Sequence, residues 1–391
     1  MKNILFINGH MSTGGVEKSL LDILQNIDYS EYSVDLLLLE DLGEYISMIP
    51  NEVNIIYINL KDTYGEFLNS LKRCINNKNY LCFFARIIIS LKKFFGLNAY
   101  RIFKYILPVK SYYDIMISFR HGFCAEVGAY AIKSKKKIVW WHHGQIELTK
   151  NEKKNLSQTF SKYDSLVAVS NPICHMLKKT FPKLKRKICT IPNMIDCKSI
   201  EDKSCLYCPY ETSKKKKIIV SVGRIAPEKH FENVVYATKK LIEKNFDNFE
   251  WYIVGGDWDF EKIKEMVISN NLEKYIKMVG KISNPYPYIK NADIFVHTSY
   301  VESQGLAILE AMALGCPSVV TESVGAKSFV IDEVNAILVK QNVDSLVNGI
   351  LKLYNNELIK RKIVNGAYET VKKYLPEVIM SKFYLLLDKD K

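Results

Sequence analysis

The residues with the most chemical promise lie in the second half of this 391-residue chain, where acids, cations and glycines recur just after short apolar runs. Arg224 and Lys229 stand in GRIAPEK, directly after the run Ile218 to Val222. Two cations beside a helix start, which carries its own partial positive charge, suit an anion such as a diphosphate. Taken alone, a basic pair also reads as a solvated loop. After Asp293 to His297 comes TSYVESQGLAILEAMALGCP, in which Ser303, Gln304, Gly305 and Leu306 lead into a helix. Gly305 would let a phosphate approach the free amides of that helix's first turn. Glu310 interrupts the apolar run LAILEAMAL, where a carboxylate needs partners. Ribose hydroxyls would serve, as would a structural hydrogen bond. Glu302 lies in the loop itself, where it either faces a ligand or is solvated.

These residues need a scaffold. The N-terminal third opens with a strand (Asn3 to Ile7), a loop (Gly9 to Gly15) and a helix carrying Val16, Leu20, Ile23, Leu24 and Ile27 at helical spacing. Apolar runs at Val34 to Leu39, Val53 to Ile58, Asp114 to Ser118, Lys137 to Trp141, Leu166 to Ser170 and Ile188 to Ile191 read as further buried strands. Periodicity is lost from Pro192 to Lys217. It restarts with strands at Ile218 to Val222, Glu250 to Val254, Ile276 to Val279, Asp293 to His297, Ser318 to Thr321 and Ala336 to Val339. Strands alternating with helices predict two doubly wound parallel sheets of the α/β class, whose ligands sit at the carboxyl ends of the strands.

Length supports two domains. The composition, 48% hydrophobic and 25% charged, is that of a globular protein and excludes a disordered or fibrous one. The opening MKNILFINGH is broken by Asn8 and Gly9 too early for an export signal, and no apolar run reaches the ~20 residues needed to span a bilayer. Nine scattered cysteines predict reduced thiols and a cytoplasmic location. Cys205 and Cys208 form a lone CxxC with no second pair to complete a zinc site. The net charge of +13 has a centre: from Phe67 to Tyr113 there are nine cations and no acid. Aromatic residues interleave them, and Ile87, Ile88, Leu91, Phe94 and Phe95 recur at helical spacing. Such a segment touches an anionic membrane at the inner face of the plasma membrane, packs its apolar face on the N-terminal sheet, or does both with its cations outside. No nucleic-acid recognition motif accompanies the charge.

SVGRIAPEKH, TIPNMID and the stretch ADIFVHTSYVESQGLAILEAMALGCPSVVTESVGAKSFV together resemble the retaining glycosyltransferase family 4, of GT-B fold, including enzymes of capsule, exopolysaccharide and lipopolysaccharide synthesis. The resemblance is dense from Ile218 to Val339 and sparse before it. It implies two Rossmann-like domains facing across a cleft: residues 1–195 binding acceptor, a linker over 196–216, residues 217–372 binding nucleotide sugar, and a C-terminal helix over 373–391 packing back toward the N-terminal domain. It also implies roles. Arg224 and Lys229 match the family's diphosphate-binding cations, Glu310 the ribose-binding glutamate, and Glu302 the glutamate that contacts donor-sugar hydroxyls. The amides from Ser303 to Leu306 match the phosphate-cradling loop, Gly14 and Gly15 the glycine loop against the donor phosphates, and His143 the histidine near the transferred sugar, with His142 as competitor. Ser303 and Gln304 stand where the family has Gly and Phe, Asn335 where it has Gly, and only Gly325 remains of a frequent Gly-Gly pair.

The expected reaction moves a sugar, with retention, from a nucleotide-sugar co-substrate such as a UDP-sugar or GDP-sugar to a hydroxyl on a sugar or lipid-linked glycan, without further cofactor. Preorganised positive groups must stabilise the departing nucleotide diphosphate. Arg224, Lys229 and a helix start supply them, so Asp257 and Asp259 are read as loop acids and no metal is expected. A nucleotide-sugar epimerase of the same fold and a catalytically silent scaffold are the rival readings.

Overall fold

The apolar runs become the strands of two sheets in a computed structural model, which describes residues 1–40, 43–58, 60–63, 65–210 and 216–388, without the side chains of residues 61, 93 and 94. Residues 211–215 of the expected linker, the last three of the expected C-terminal helix and the side chains of Lys93 and Phe94 lie outside the described residues. The first sheet holds β1 (Lys2–Asn8), β2 (Tyr32–Leu38), β3 (Val53–Tyr57), β4 (Tyr113–Ser118), β5 (Ser134–Trp141), β6 (Ser165–Ala168) and β7 (Ile188–Thr190), in the order β3-β2-β1-β4-β5-β6-β7. The second holds β8 (Lys217–Val222), β9 (Phe249–Val254), β10 (Ile276–Gly280), β11 (Ile294–His297), β12 (Ser318–Thr321) and β13 (Ile337–Val339), in the order β10-β9-β8-β11-β12-β13. Among the described residues every pairing between these strands is parallel. In each sheet the winding reverses beside the first strand, at β1 against β4 and at β8 against β11. Open α/β sheets bind their ligands at the carboxyl ends of the strands flanking such a reversal.

Burial explains why these segments are strands. In β1, KNILFIN, four consecutive residues from Ile4 to Ile7 are fully buried, as required when both faces of a parallel sheet are covered. In the second sheet Ile219, Ile253, Val296 and Val319 enter one apolar cluster, while their chain neighbours Val220, Val254, Phe295 and Val320 enter another. Successive side chains thus feed opposite faces.

Contacts divide the chain into two units: Met1–His142 with Ile146–Ile191 and the residues from Met380 onward, and Pro192–Ile379 with His143–Gln145. Within the first unit, the later residues of the helix Pro376–Asp388 lie on the sheet. Phe383 packs beside Trp140 with ring centroids 6.1 Å apart, and Tyr384 stacks on Tyr32 at 5.9 Å. Lys136 Nζ donates to the carbonyls of Leu386 at 2.6 Å and Leu387 at 3.2 Å, satisfying acceptors that the helix end leaves open.

The second unit begins within the stretch where periodicity lapses. Asp196 caps the helix Cys197–Ser204 by accepting from the Ser199 amide at 2.9 Å, Ile195 and Ile200 are buried, and Tyr210 donates to the Tyr288 carbonyl at 2.6 Å. A few apolar and aromatic side chains fasten a segment whose average composition is that of a linker. No helix among the described residues is long and apolar enough to cross a membrane. All nine cysteines are free, and the described residues contain no group of three His, Cys, Asp or Glu placed to hold a metal ion.

Candidate active site

The reversal between β8 and β11 brings together two loops that the chain separates by some seventy residues. After β8 the backbone runs through Arg224 into the single 3-10 turn Pro227–Lys229. After β11 it runs through Thr298 to Glu302. Lys229 Nζ donates to Glu302 Oε1 at 2.5 Å, and His297 Nε2 donates to the same oxygen at 2.8 Å. The three side chains are 17%, 11% and 7% exposed, so this is a nearly buried ionic cluster. Hydroxyls stitch the loops together: Thr298 donates to the Lys229 carbonyl at 2.7 Å and Ser299 to the Glu228 carbonyl at 3.2 Å. Burial by itself would raise the Glu302 carboxyl. The Lys229 charge and the His297 hydrogen bond outweigh it and hold the group well below the usual carboxylate range. Glu302 is therefore an anion at neutral pH, and neither of its two contacts uses Oε2.

The backbone beyond Glu302 is held by close approaches. Gly325 donates its amide to the Glu302 carbonyl at 2.9 Å, and a Cβ at Gly325 would lie 2.6 Å from the Gln304 nitrogen. On another side, a Cβ at Gly144 would lie 2.5 Å from the Glu302 carbonyl carbon. Only glycines fit these two positions without displacing backbone. Gly305 has φ +95°, the left-handed region that favours glycine, and turns the chain into the helix Leu306–Ala313. Gly305 makes no side-chain cap bond, and the Ile308 amide already donates to the Gly305 carbonyl at 3.1 Å, so the start of the helix that faces outward is the pair Leu306 and Ala307.

Arg224 lies half exposed with Glu228 3.3 Å and Asp257 3.9 Å away, so both cations of GRIAPEK face acids. Glu310 accepts from the Tyr286 hydroxyl at 3.1 Å. Gln304 is fully buried; its carboxamide accepts from the Asn193 amide at 2.8 Å and donates to the Asn193 carbonyl at 3.2 Å. Its side chain is thus engaged on protein backbone. Ser303 is partly exposed beside it, as is Leu306 at the helix start. Asn335 is likewise internal, bonding the Ile331 amide and the Phe329 carbonyl, each at 2.7 Å, and the Thr370 hydroxyl at 2.8 Å. Asp259 stands at the N-cap of the helix Phe260–Ser269 without a side-chain cap bond.

The two histidines of WWHHGQ separate. His142 belongs to the first unit, its ring 4.8 Å from that of Phe119, whereas His143 is exposed and falls with the second unit, next to Gly144. In the first unit Gly14 is the N-cap and Gly15 the first residue of the helix Gly15–Asn26. A Cβ at Gly14 would lie 2.6 Å from Glu17 Oε2. The buried Glu17 carboxylate pairs with Arg120, which follows β4.

His297, Tyr286 and Asn193 escaped the sequence reading. For His297 a signal exists: a histidine ending an apolar strand, five residues before the loop glutamate. Tyr286 and Asn193 act across 24 and 111 residues of chain, with no local pattern to mark them.

Residues 209–370 match the family model described as Glycosyl transferases group 1. The poly(glycerol-phosphate) alpha-glucosyltransferase of Bacillus subtilis is 32% identical over 177 residues, 44% of this chain and 25% of the relative. The chain spans 25%, 36% and 64% of the lengths of the first three curated relatives. Among solved structures, Anabaena HepE in complex with UDP superposes with a TM-score of 0.70 at 17% identity, covering 99% of both chains. A TarM mutant of Staphylococcus aureus in complex with fondaparinux, alpha-GlcNAc-glycerol and UDP gives 0.74 at 16%, covering both chains fully. The chain therefore has the GT-B fold, with two parallel-sheet α/β units, and its second unit carries the pattern of the group 1 glycosyl transferases over residues 209–370.

Proposed function

We propose that this chain transfers a sugar from a nucleoside diphosphate sugar to a hydroxyl acceptor with retention of anomeric configuration. The observation that carries the reading is the nearly buried Lys229–Glu302–His297 cluster at the carboxyl ends of β8 and β11, beside an uncapped helix start. A site that must hold a diphosphate and release it with extra negative charge needs fixed positive groups in a poorly solvated setting. Lys229, Arg224 and the amides from Ser303 to Leu306 fill that role. On donor binding, the phosphates take over Lys229 and Arg224 from their resident acids. Glu302, kept ionised by its neighbours, accepts from donor-sugar hydroxyls, and Glu310 accepts from the ribose. His143 lies near the transferred sugar.

In the reaction the bond from the anomeric carbon to the diphosphate oxygen breaks as a bond to the acceptor oxygen forms on the same face. The acceptor proton passes to the departing phosphate. No protein nucleophile and no metal take part. The superposition on UDP complexes makes a UDP-sugar the first donor to test, and the polymer-directed name of the Bacillus subtilis relative supports a cell-envelope glycan as acceptor. The enzyme works in the cytoplasm, with residues 67–113 in peripheral contact with an anionic membrane. Incubation with UDP-sugars and hydroxyl acceptors, followed by UDP release and the anomeric coupling constant of the product, tests the proposal. An inverted product overturns retention. Isomerised donor without transfer points to an epimerase, and failure to bind any nucleotide leaves a silent scaffold.

A further inference from the structure

The acid-free segment divides its apolar residues between two destinations. From the helix Tyr80–Phe95, Cys82, Ala85 and Ile88 enter the core of the first unit, and from the 3-10 turns Gly96–Tyr105 so do Leu97, Tyr100 and Phe103. That accounts for anchoring. It leaves a second apolar set outward: Tyr80, Phe84, Phe95 and Tyr105 are 66%, 58%, 66% and 79% exposed. Between the helix and the turns runs an open groove of about 460 Å³, lined by Leu81, Phe84, Ile87, Ile102, Tyr105 and Ile106.

The cations divide as well. Arg86 donates to Ser70 at 2.8 Å, Lys92 pairs with Glu126 at 2.7 Å, and Lys110 reaches Asp35 at 3.4 Å. Arg101 and Lys104, by contrast, are exposed and alternate along the chain with the groove residues Ile102 and Tyr105, Lys104 lying 4.4 Å above the Tyr105 ring. Apolar and aromatic groups that bracket a groove, interleaved with cations and without an acid from residue 67 to 113, match the layering of an anionic bilayer: acyl chains below, phosphates above.

We propose that the groove between the helix Tyr80–Phe95 and the turns Gly96–Tyr105 receives an acyl chain of an anionic bilayer lipid, with Arg101 and Lys104 at the phosphate level. This rests on the peripheral membrane contact proposed above and gives it a defined seat. It differs from a purely electrostatic contact in one respect: the side chains lining the groove enter the hydrocarbon.

The experiment uses the full chain with vesicles of phosphatidylglycerol and phosphatidylcholine, and with pure phosphatidylcholine as the neutral control. The expected results are cosedimentation with the anionic vesicles alone, a loss of about fivefold in partitioning for each of Arg101→Ala and Lys104→Ala, and a comparable loss for Phe84→Ser. A Phe84→Trp variant reads depth, because lipids brominated on the acyl chain should quench its added fluorescence. These positions are exposed, and circular dichroism checks that the variants fold. Binding to anionic vesicles without quenching, and unaffected by Phe84→Ser, overturns the groove while leaving peripheral contact standing. No binding to anionic vesicles overturns both. Self-association in lipid-free solution that Phe84→Ser abolishes overturns the lipid in favour of a second copy of the chain.

Discussion

The two units place an acid–cation pair at the same topological point, with the roles exchanged. In the first, the acid (Glu17) follows the first strand and the cation (Arg120) follows its neighbour β4; in the second, the cation (Lys229) follows the first strand and the acid (Glu302) follows β11. Both acids are nearly buried, at 4% and 11% exposure. The surroundings differ. Glu17 sits against Gly14 and one guanidinium, with the His10 ring 3.8 Å away. Glu302 shares one oxygen between two donors, within a loop pinned by two glycines and leading into an uncapped helix. Both winding reversals thus hold an acid–cation pair, in different loop surroundings. We read the first pair as a structural clasp and the second as a donor site.

Removing the cation of each pair should separate these readings. Lys229→Ala should lower kcat by about a hundredfold to a thousandfold, the usual effect of deleting one preorganised charge-stabilising donor; steady-state assay with a UDP-sugar checks it, and unchanged turnover would leave the second pair as structural as the first. The same pair should shape acid stability. Because the Glu302 carboxyl is held below its ordinary value, its contribution is present above the unfolded carboxylate value of about 4.3 and is lost as pH falls toward the folded one. Glu302→Gln should flatten that acid limb in denaturant titrations below pH 5.

Arg120→Ala strands a buried carboxylate whose partner is one-third exposed, so a loss of about 2 kcal/mol in unfolding free energy is expected, below the range for fully buried pairs. The midpoint should fall while the thermal shift produced by UDP is retained; loss of the UDP response would move the first pair into the donor site. The smallest effect concerns the ribose. Glu310→Gln keeps a partner for Tyr286 but weakens acceptance from a hydroxyl pair, raising KM for donor about tenfold with kcat little changed.

The sheets were legible because parallel strands covered on both faces are near-continuous apolar runs, and all thirteen appear within a few residues of the runs that announce them. Of the site, the loops and their charges could be read, because they follow strand ends at fixed places. Partner choice could not. That His297 shares an oxygen with Lys229, that Gln304 grips Asn193, and that Tyr286 meets Glu310 are consequences of packing across 24 to 111 residues. The segment 67–113 shows the same limit: helical spacing predicts one apolar face, and the folded helix presents apolar groups both to the core and to solvent.

Gly144 and Gly325 approach the peptide after Glu302 so closely, from two sides, that a Cβ at either would meet its backbone. On the function we propose, a change of sugar preference would therefore be made through side chains, with the backbone of this loop left in place. Ser303, partly exposed between those two close approaches, is the side chain of that stretch through which such a change would be made.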